Sequence, residues 1–469
     1  MLFLSRGENA MAEQLRIVII GAASPQWGHG ISRDIIVAMS SDAICGSYEP
    51  VLVLEDIDAN NLAMQERLAR KVAELAGGRV RIESTTDQRQ AIEGARFLVV
   101  TIAQGSLEAM QRDIEIAEEH GIYMPVGDTF SIGGAIRAAR NIPAMLSMAR
   151  DCEAVGHDNA WLLNLSNPMS ILCRAVTREA RVNTIGCCHE LYGGIRFLSE
   201  CLGFEYDSWR DVLDFDVLGV NHCGWMPRLA IDGSDGLAAF RDYLAAQGIT
   251  AATSRLYDSP VPHLRRQNVK INLFLEHGVL PYSGDRHTAE FFAEFVNAQT
   301  NKGANYGVLL TTPQERLVEW RGGHREQNLK RIAGALDIDM NVSQEAASRI
   351  ITALTLGEPF LDVGNVPYHG RELPDIPDGA VLERMVTYDA GGATPNTPLP
   401  LPPRIHRHLV LLTRIIEDIV EASVNGNRPL LVDALRRDPL LSNMDREKIP
   451  ELAGKLLDAH RAYVHPGFF

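Results

Sequence analysis

Runs of branched and apolar residues recur along the amino-terminal third, each broken off by small or polar residues. Residues 16–20 (RIVII) stop at Gly21-Ala22-Ala23-Ser24, and helical spacing follows from Ile31 to Met39. A run that is apolar at every position, with no alternation, predicts a parallel strand buried on both faces. The pattern returns in VLVLEDID (51–58), ARFLVVTIA (95–103) and WLLNLSNPMSIL (161–172), then in VNTIGCCHEL and VLGVNHCGWM (217–226). Strands that end in small or polar turns and alternate with helices predict a doubly wound, Rossmann-type α/β sheet with ligands at the strands' carboxyl ends. The small turn Gly21, Ala23, Ser24 would let phosphate oxygens approach the backbone at a helix N-terminus. Asp56, directly after the second run, stands where such folds bind the adenosine ribose hydroxyls. A carboxylate there favours NAD over NADP. The spacing from Gly21 requires an inserted loop around residues 40–49.

Beyond residue 195 the spacing turns mainly helical: 195–202, 238–247, 263–277, 288–298 and 343–355. NVPYHG (365–370) reads as a loop and residues 380–390 as a strand. The proline-rich stretch 394–403 reads as an extended connector, because proline cannot join ladders. A long helix over 404–424 and two more helices complete the chain. The expected organisation is an extension (1–13, with Met11 an alternative start), a nucleotide-binding unit (14–195) and an α+β unit (196–469) for substrate and subunit contacts.

Composition narrows the function classes. A net charge of −15 argues against a nucleic-acid groove, which needs basic residues in excess. No apolar run approaches the roughly 18–20 residues of a membrane span, and no secretory signal is evident. Seven cysteines, an odd number on a long chain, read as reduced thiols of a cytoplasmic protein.

IGCCHEL (185–191) raises the question of a metal. Cys188 and His222 each follow a β-type run, and a thiolate with an imidazole suits a divalent transition ion that keeps positions open for substrate oxygens. A buried thiol and a core histidine are the alternative. Cys187, adjacent in an extended segment, faces the other way.

Taken together, GAAS, LEDID, VGDTFSIGG (126–134), NLSNPM (164–169), CCHEL, GVNHCGW (219–225), PYSGDRH (281–287) and NVPYHG resemble family 4 of the glycoside hydrolases in order and spacing. The resemblance implies an NAD- and manganese-dependent glycosidase. Its reaction would run by oxidation at sugar C3, deprotonation at C2, elimination at C1, water addition and re-reduction, unlike the paired-carboxylate scheme. Carried onto this chain, it makes Cys188 and His222 metal ligands and Asn167 a contact to a substrate hydroxyl. Asp128 and Asp285 become acid–base carboxylates, and Tyr282 the C2 base with Asp285 next in line. His189 and Glu190 lie in the signature that tracks substrate type; Glu190 also reads as a plain helix N-terminal charge. CHEL disfavours phosphorylated sugars. Arg286 and His287, beside Asp285, would suit a substrate carboxylate, which points to an α-galacturonide ahead of a neutral α-glucoside or α-galactoside. A structural ion pair is the other reading of Arg286. The resemblance also implies a homodimer or homotetramer. The rivals are an NAD-dependent hydroxyacid dehydrogenase and an NAD-sensing regulator, the latter without any basic helix–turn–helix stretch.

Overall fold

Alternate residues of β1 (Glu13–Ile20) belong to two different cores: Val18 and Ile20 to one, Leu15, Ile17 and Ile19 to the other. The same partition divides β2 (Tyr48–Glu55), where Val51 and Val53 part from Leu52 and Leu54. Next come β3 (Arg81–Thr85) and β4 (Phe97–Val100), in which Leu98 and Val100 part from Phe97 and Val99. Burial on both faces is why these strands are written as unbroken apolar runs. With β5 (Trp161–Asn164) and β6 (Asn183–Gly186) they pair in parallel in the order β3-β2-β1-β4-β5-β6, the doubly wound arrangement expected. The computed structural model describes residues 13–249, 259–312 and 314–469, so residues 1–12 of the expected extension lie outside the described residues.

Helices cover both faces. Trp27–Met39, Ala59–Leu75 and Ala347–Leu356 close one core; Ser131–Val155, Met169–Glu179 and Pro403–Asn425 close the other. Pro403–Asn425 shows how such a helix is specified. Pro403 opens it at a position needing no N–H donor, and Gly426 at φ +65° ends it. Ile405, Leu409, Leu412, Ile416, Ile419 and Val420 form one buried stripe at helical spacing.

The sheet does not stop at residue 195, which falls inside the helix Glu190–Leu202. The strands β7 (Leu213–Val220) and β8 (Cys223–Ile231) form a hairpin whose tip is Asn221-His222. Two short strands, β9 (Ser234–Asp235) and β10 (Leu280–Pro281), pair with β8. Then β11 (Phe360–Pro367) joins β6, β12 (Val381–Asp389) bridges β11 to β7, and β13 (Gly392–Pro395) pairs with β12. Among the described residues, all thirteen strands make one mixed sheet.

Several expected elements differ. Residues 365–367 of NVPYHG belong to β11, and the start of the proline-rich stretch forms β13, with Pro395 on the outermost strand where a missing donor costs least. In place of a helix over 288–298 there are two short turns, Asp285–Thr288 and Ala289–Phe291. There Glu290, Phe291, Phe292, Phe295 and Val296 are all buried.

Candidate active site

One line of ladder partners crosses the junction between the parallel and antiparallel strands. Gly186, at the carboxyl end of β6, pairs with Asn365; Asn365 pairs with Glu383, Glu383 with Gly219, and Gly219 with Gly224. Directly opposed residues point to the same face of a sheet, so glycine here leaves room for a larger neighbour. A Cβ on Gly186 would lie 2.8 Å from the Asn365 Cβ, and one on Gly224 would overlap the Tyr282 ring. Glu383 fills the centre of the line, 1% exposed. Its Oε2 accepts from Asn221 Nδ2 at 2.8 Å and Asn365 Nδ2 at 2.7 Å, and its Oε1 accepts the Tyr282 hydroxyl proton. Sequence reading missed Glu383. A signal was present: Glu383, next to Arg384 in the mainly apolar run AVLERMVTY, has to be satisfied inside the sheet.

The same level of the sheet carries the β7–β8 turn. His222 sits in it at φ +67°, where a side chain is strained by about 1–3 kcal/mol unless its surroundings hold it. The hold is visible: Asn221 N–H donates to Ser170 Oγ at 3.0 Å, and Thr129 Oγ1 stands 2.8 Å from His222 Nδ1. Thr129 donates its one proton to Asp128 Oδ1 at 2.8 Å. The imidazole must therefore donate from Nδ1, which leaves Nε2 with a free lone pair. Burial, then the neighbouring His287, bring the His222 pKa down to about 4, so the ring is neutral at pH 7.

Asp128, His222 and His287 converge, with one ligand atom from each lying within 4.8 Å of the others. The two imidazoles are 3.8 Å apart between centroids, and His287 Nδ1 is buried without a hydrogen-bond partner. Asn167 Nδ2 reaches Asp128 Oδ1 at 3.4 Å. Glu190 Oε1 is 3.9 Å from His287 Nε2, and Glu190 Oε2 accepts the Gly284 N–H at 2.6 Å. Burial acts to raise the Glu190 pKa, but His287, His222 and the Gly284 N–H outweigh it and hold the carboxyl at about 2. Cys188 is not one of the trio. It is buried beside Met169, Cys173 and Val381, while Cys187 belongs to the opposite core, the two sides expected of adjacent extended residues. Burial raises the Cys188 thiol pKa well above its ordinary value, and Glu383 and Glu190 add to this. The same two carboxylates act on His222, so Cys188 and His222 flank one locus.

Other singled-out residues are placed differently. Both Asp285 oxygens accept backbone N–H groups, Val269 at 2.7 Å and Lys270 at 3.0 Å, which fastens Asp285 to the first turn of helix Asn268–His277. Burial pushes Asp285 up to about 7. Arg286 is spent within the protein, paired with Glu315 at 3.1 Å and donating to Thr311 Oγ1 and the Pro125 carbonyl. The guanidinium thus takes the structural ion-pair reading in place of an open fork for a ligand carboxylate. His189 is half-exposed, 2.8 Å from Glu345 and facing the Trp27 ring; its hydrogen bond to Glu345 raises it to about 9.

At the carboxyl ends of β1 and β2, Gly21 adopts φ +89°, and a Cβ there or on Gly28 would overlap the Thr101 or the Ala22 carbonyl oxygen. Asp56 Oδ2 accepts the Ala23 N–H at 3.0 Å, tying the small turn to the end of β2. Gln65 reaches the Ser24 carbonyl at 2.8 Å. Gly21, Ala23, Ser24 and Asp56 thus form one cradle at the helix N-terminus.

A family model for family 4 glycosyl hydrolases matches residues 16–204, and the model of that family's C-terminal domain matches residues 217–441. The chain belongs to glycosyl hydrolase family 4. Among relatives of this family 4 hydrolase, an alpha-galacturonidase of Lachnoclostridium phytofermentans is 26% identical over 471 residues, covering 97% of this chain and 98% of the relative. The crystal structure of the lplD protein of Bacillus subtilis superposes with a TM-score of 0.82 at 26% identity, over 95% of this chain and 100% of that one. A 6-phospho-alpha-glucosidase from gut microorganisms, crystallised with NAD and Mn2+, shares the fold with a TM-score of 0.78 at 17% identity, over 96% and 99% of the two chains.

Proposed function

We propose that this family 4 hydrolase cleaves an unphosphorylated α-glycoside, an α-galacturonide ahead of an α-glucoside or α-galactoside, with NAD and manganese as cofactors. The convergence of Asp128, His222 and His287 carries the reading. A carboxylate with two imidazoles, and a thiol beside them, is a donor set for a divalent transition ion. Charge supports it. Asp128, Glu190 and Glu383 all act on the neutral His222, and Glu190 and Asp285 also act on the buried Lys270. His222 Nε2, His287 and Asp128 would hold the ion, with Cys188 alongside. The small-residue turn Gly21–Ser24 before the helix Trp27–Met39 fits the dinucleotide backbone, and Asp56 fits its ribose. When bound, NAD⁺ supplies reversible hydride acceptance at a sugar carbon, and the metal ion polarises sugar oxygens.

The remaining chemistry belongs to the chain. Asn167, held against Asp128, orients a sugar hydroxyl. Tyr282, whose hydroxyl proton is aimed at Glu383, takes the C2 proton as its own proton passes to that carboxylate. Asp285 fixes the turn that presents His287. The α-galacturonidase relative aligned over nearly the full chain supports the uronide, and CHEL supports an unphosphorylated sugar. The test is hydrolysis of a p-nitrophenyl panel of α-galacturonide, α-glucoside, α-galactoside and β-counterparts, omitting NAD⁺ or Mn²⁺ in turn. Turnover of the α-galacturonide should vanish on either omission and on EDTA addition. Activity surviving EDTA, or stoichiometric NADH in place of catalytic NAD⁺, sinks the reading in favour of a dehydrogenase or a metal-free hydrolase.

A further inference from the structure

The segment that delivers His287 also grips the loop that delivers Asp128. Arg286 Nη2 donates to the Pro125 carbonyl at 3.0 Å. From the other side of that same peptide, and on the next one, Glu290 Oε1 accepts the Val126 N–H at 2.7 Å and the Gly127 N–H at 2.5 Å. Glu290 is fully buried, and its Oε2 has no hydrogen-bond partner. The buried Thr311 braces the loop as well, its N–H on the Pro125 carbonyl at 2.9 Å. The loop is tightly drawn: Gly127 has φ +76°, and a Cβ on Gly133 would lie 2.8 Å from the Gly127 carbonyl oxygen. Asp128 follows directly, so contacts more than 160 positions apart in the chain fix where its carboxylate meets His287.

We propose that Arg286 and Glu290 are positioning residues that clamp peptides 125–127 from both ends and set the Asp128–His287 geometry for the cation. This rests on the metal reading of the trio. It gives Arg286 a role other than recognition of the sugar. A single uncharged carbonyl oxygen is enough for the Glu290 half of the clamp, because both N–H groups share Oε1. Burial pushes the Glu290 carboxyl up to about 8, consistent with an acceptor that is mostly neutral at pH 7.

The experiment is Mn²⁺ titration without sugar, followed by loss of the free-ion electron paramagnetic resonance signal, on the full chain and on Glu290→Gln, Glu290→Met and Arg286→Met. Glutamine keeps the acceptor and should hold affinity within about twofold. Methionine at either position should weaken it by about 10–100-fold, the usual cost of losing an outer support of a metal site. Arg286→Met with unchanged Mn²⁺ affinity and a raised KM for the uronide would instead make Arg286 a substrate reader and overturn the clamp. So would a folded Glu290→Met with unaltered affinity. Should Glu290→Met fail to fold, amide hydrogen exchange in the unaltered protein decides, since rapid exchange at Val126 and Gly127 excludes the clamp. An unaltered chain that binds no Mn²⁺ condemns the metal reading beneath it.

Discussion

The Thr129 hydroxyl has one proton and two partners, Asp128 Oδ1 and His222 Nδ1, each at 2.8 Å. Spending that proton on the carboxylate sets the imidazole tautomer, and the tautomer decides which nitrogen can bind a cation. Thr129→Val keeps the branched shape and removes the hydroxyl. It should lower Mn²⁺ affinity about 10–100-fold with little change in unfolding midpoint, and Thr129→Ser should restore most of the loss. Calorimetric titration checks this; a valine variant that binds like the parent would show that the hydroxyl does not govern the ring.

Among elements, the ladder line Gly186–Asn365–Glu383–Gly219–Gly224 places the site where two kinds of strand meet. Gly224→Ala pushes a methyl group into the Tyr282 ring and should cost about 1–3 kcal/mol in urea unfolding, with a fall in turnover as Tyr282 is displaced. Gly193→Ala, in helix Glu190–Leu202 where a Cβ meets nothing within 4 Å, should instead gain up to about 1 kcal/mol. Equal effects at the two positions would refute the packing argument. The same line shows what a sequence can and cannot disclose. Strands β1, β2 and β4 were legible because burial on both faces writes continuous apolar runs. β11 was not: FLDVGNVP carries Asp362, Gly364 and Asn365, which look like a loop until distant side chains satisfy them, Tyr192 and Arg210 at Asp362 and Glu383 at Asn365. β3, RIEST, alternates charge at the sheet edge, where polar residues guard against further pairing. In the site, position after a strand drew attention to His222 as a partner of Cys188, while Asp128 came from the family resemblance as an acid–base carboxylate and His287 as a substrate contact, so the grouping of the three was not legible. Glu290 was hidden in AEFFAEF, where a charge between aromatics reads as the solvent side of a helix.

Across the whole molecule, the second half both extends the sheet and fastens it. Asp113 takes both Arg140 Nη atoms, at 2.9 and 2.8 Å, and His460 Nε2 at 2.8 Å, all fully buried, joining two helices of the first half to the carboxyl-terminal segment. Near the same junction Asp438 is 2% exposed and caps the turn Leu440–Asn443, its Oδ1 accepting Leu440 N–H at 2.8 Å. Burial raises the Asp438 pKa from 3.8 to about 7, and that of Glu55, at the end of β2, from 4.5 to about 7. A carboxyl with a raised folded pKa holds its proton more tightly in the native chain than in the unfolded one. Their contribution is therefore complete below about pH 4 and is lost as pH rises to about 7, with a slope of at most about 1.4 kcal/mol per pH unit for each group. The sign is opposite to that of a salt-bridged aspartate, whose support disappears in acid. Asp438→Asn cannot ionise yet keeps the oxygen that caps the turn, so its urea stability should lose one group's share of the decline between pH 5 and 7.5. Parent and variant declining in parallel over that range would mean that Asp438 is ionised in the native chain, and that the turn at 440–443 tolerates a buried negative charge.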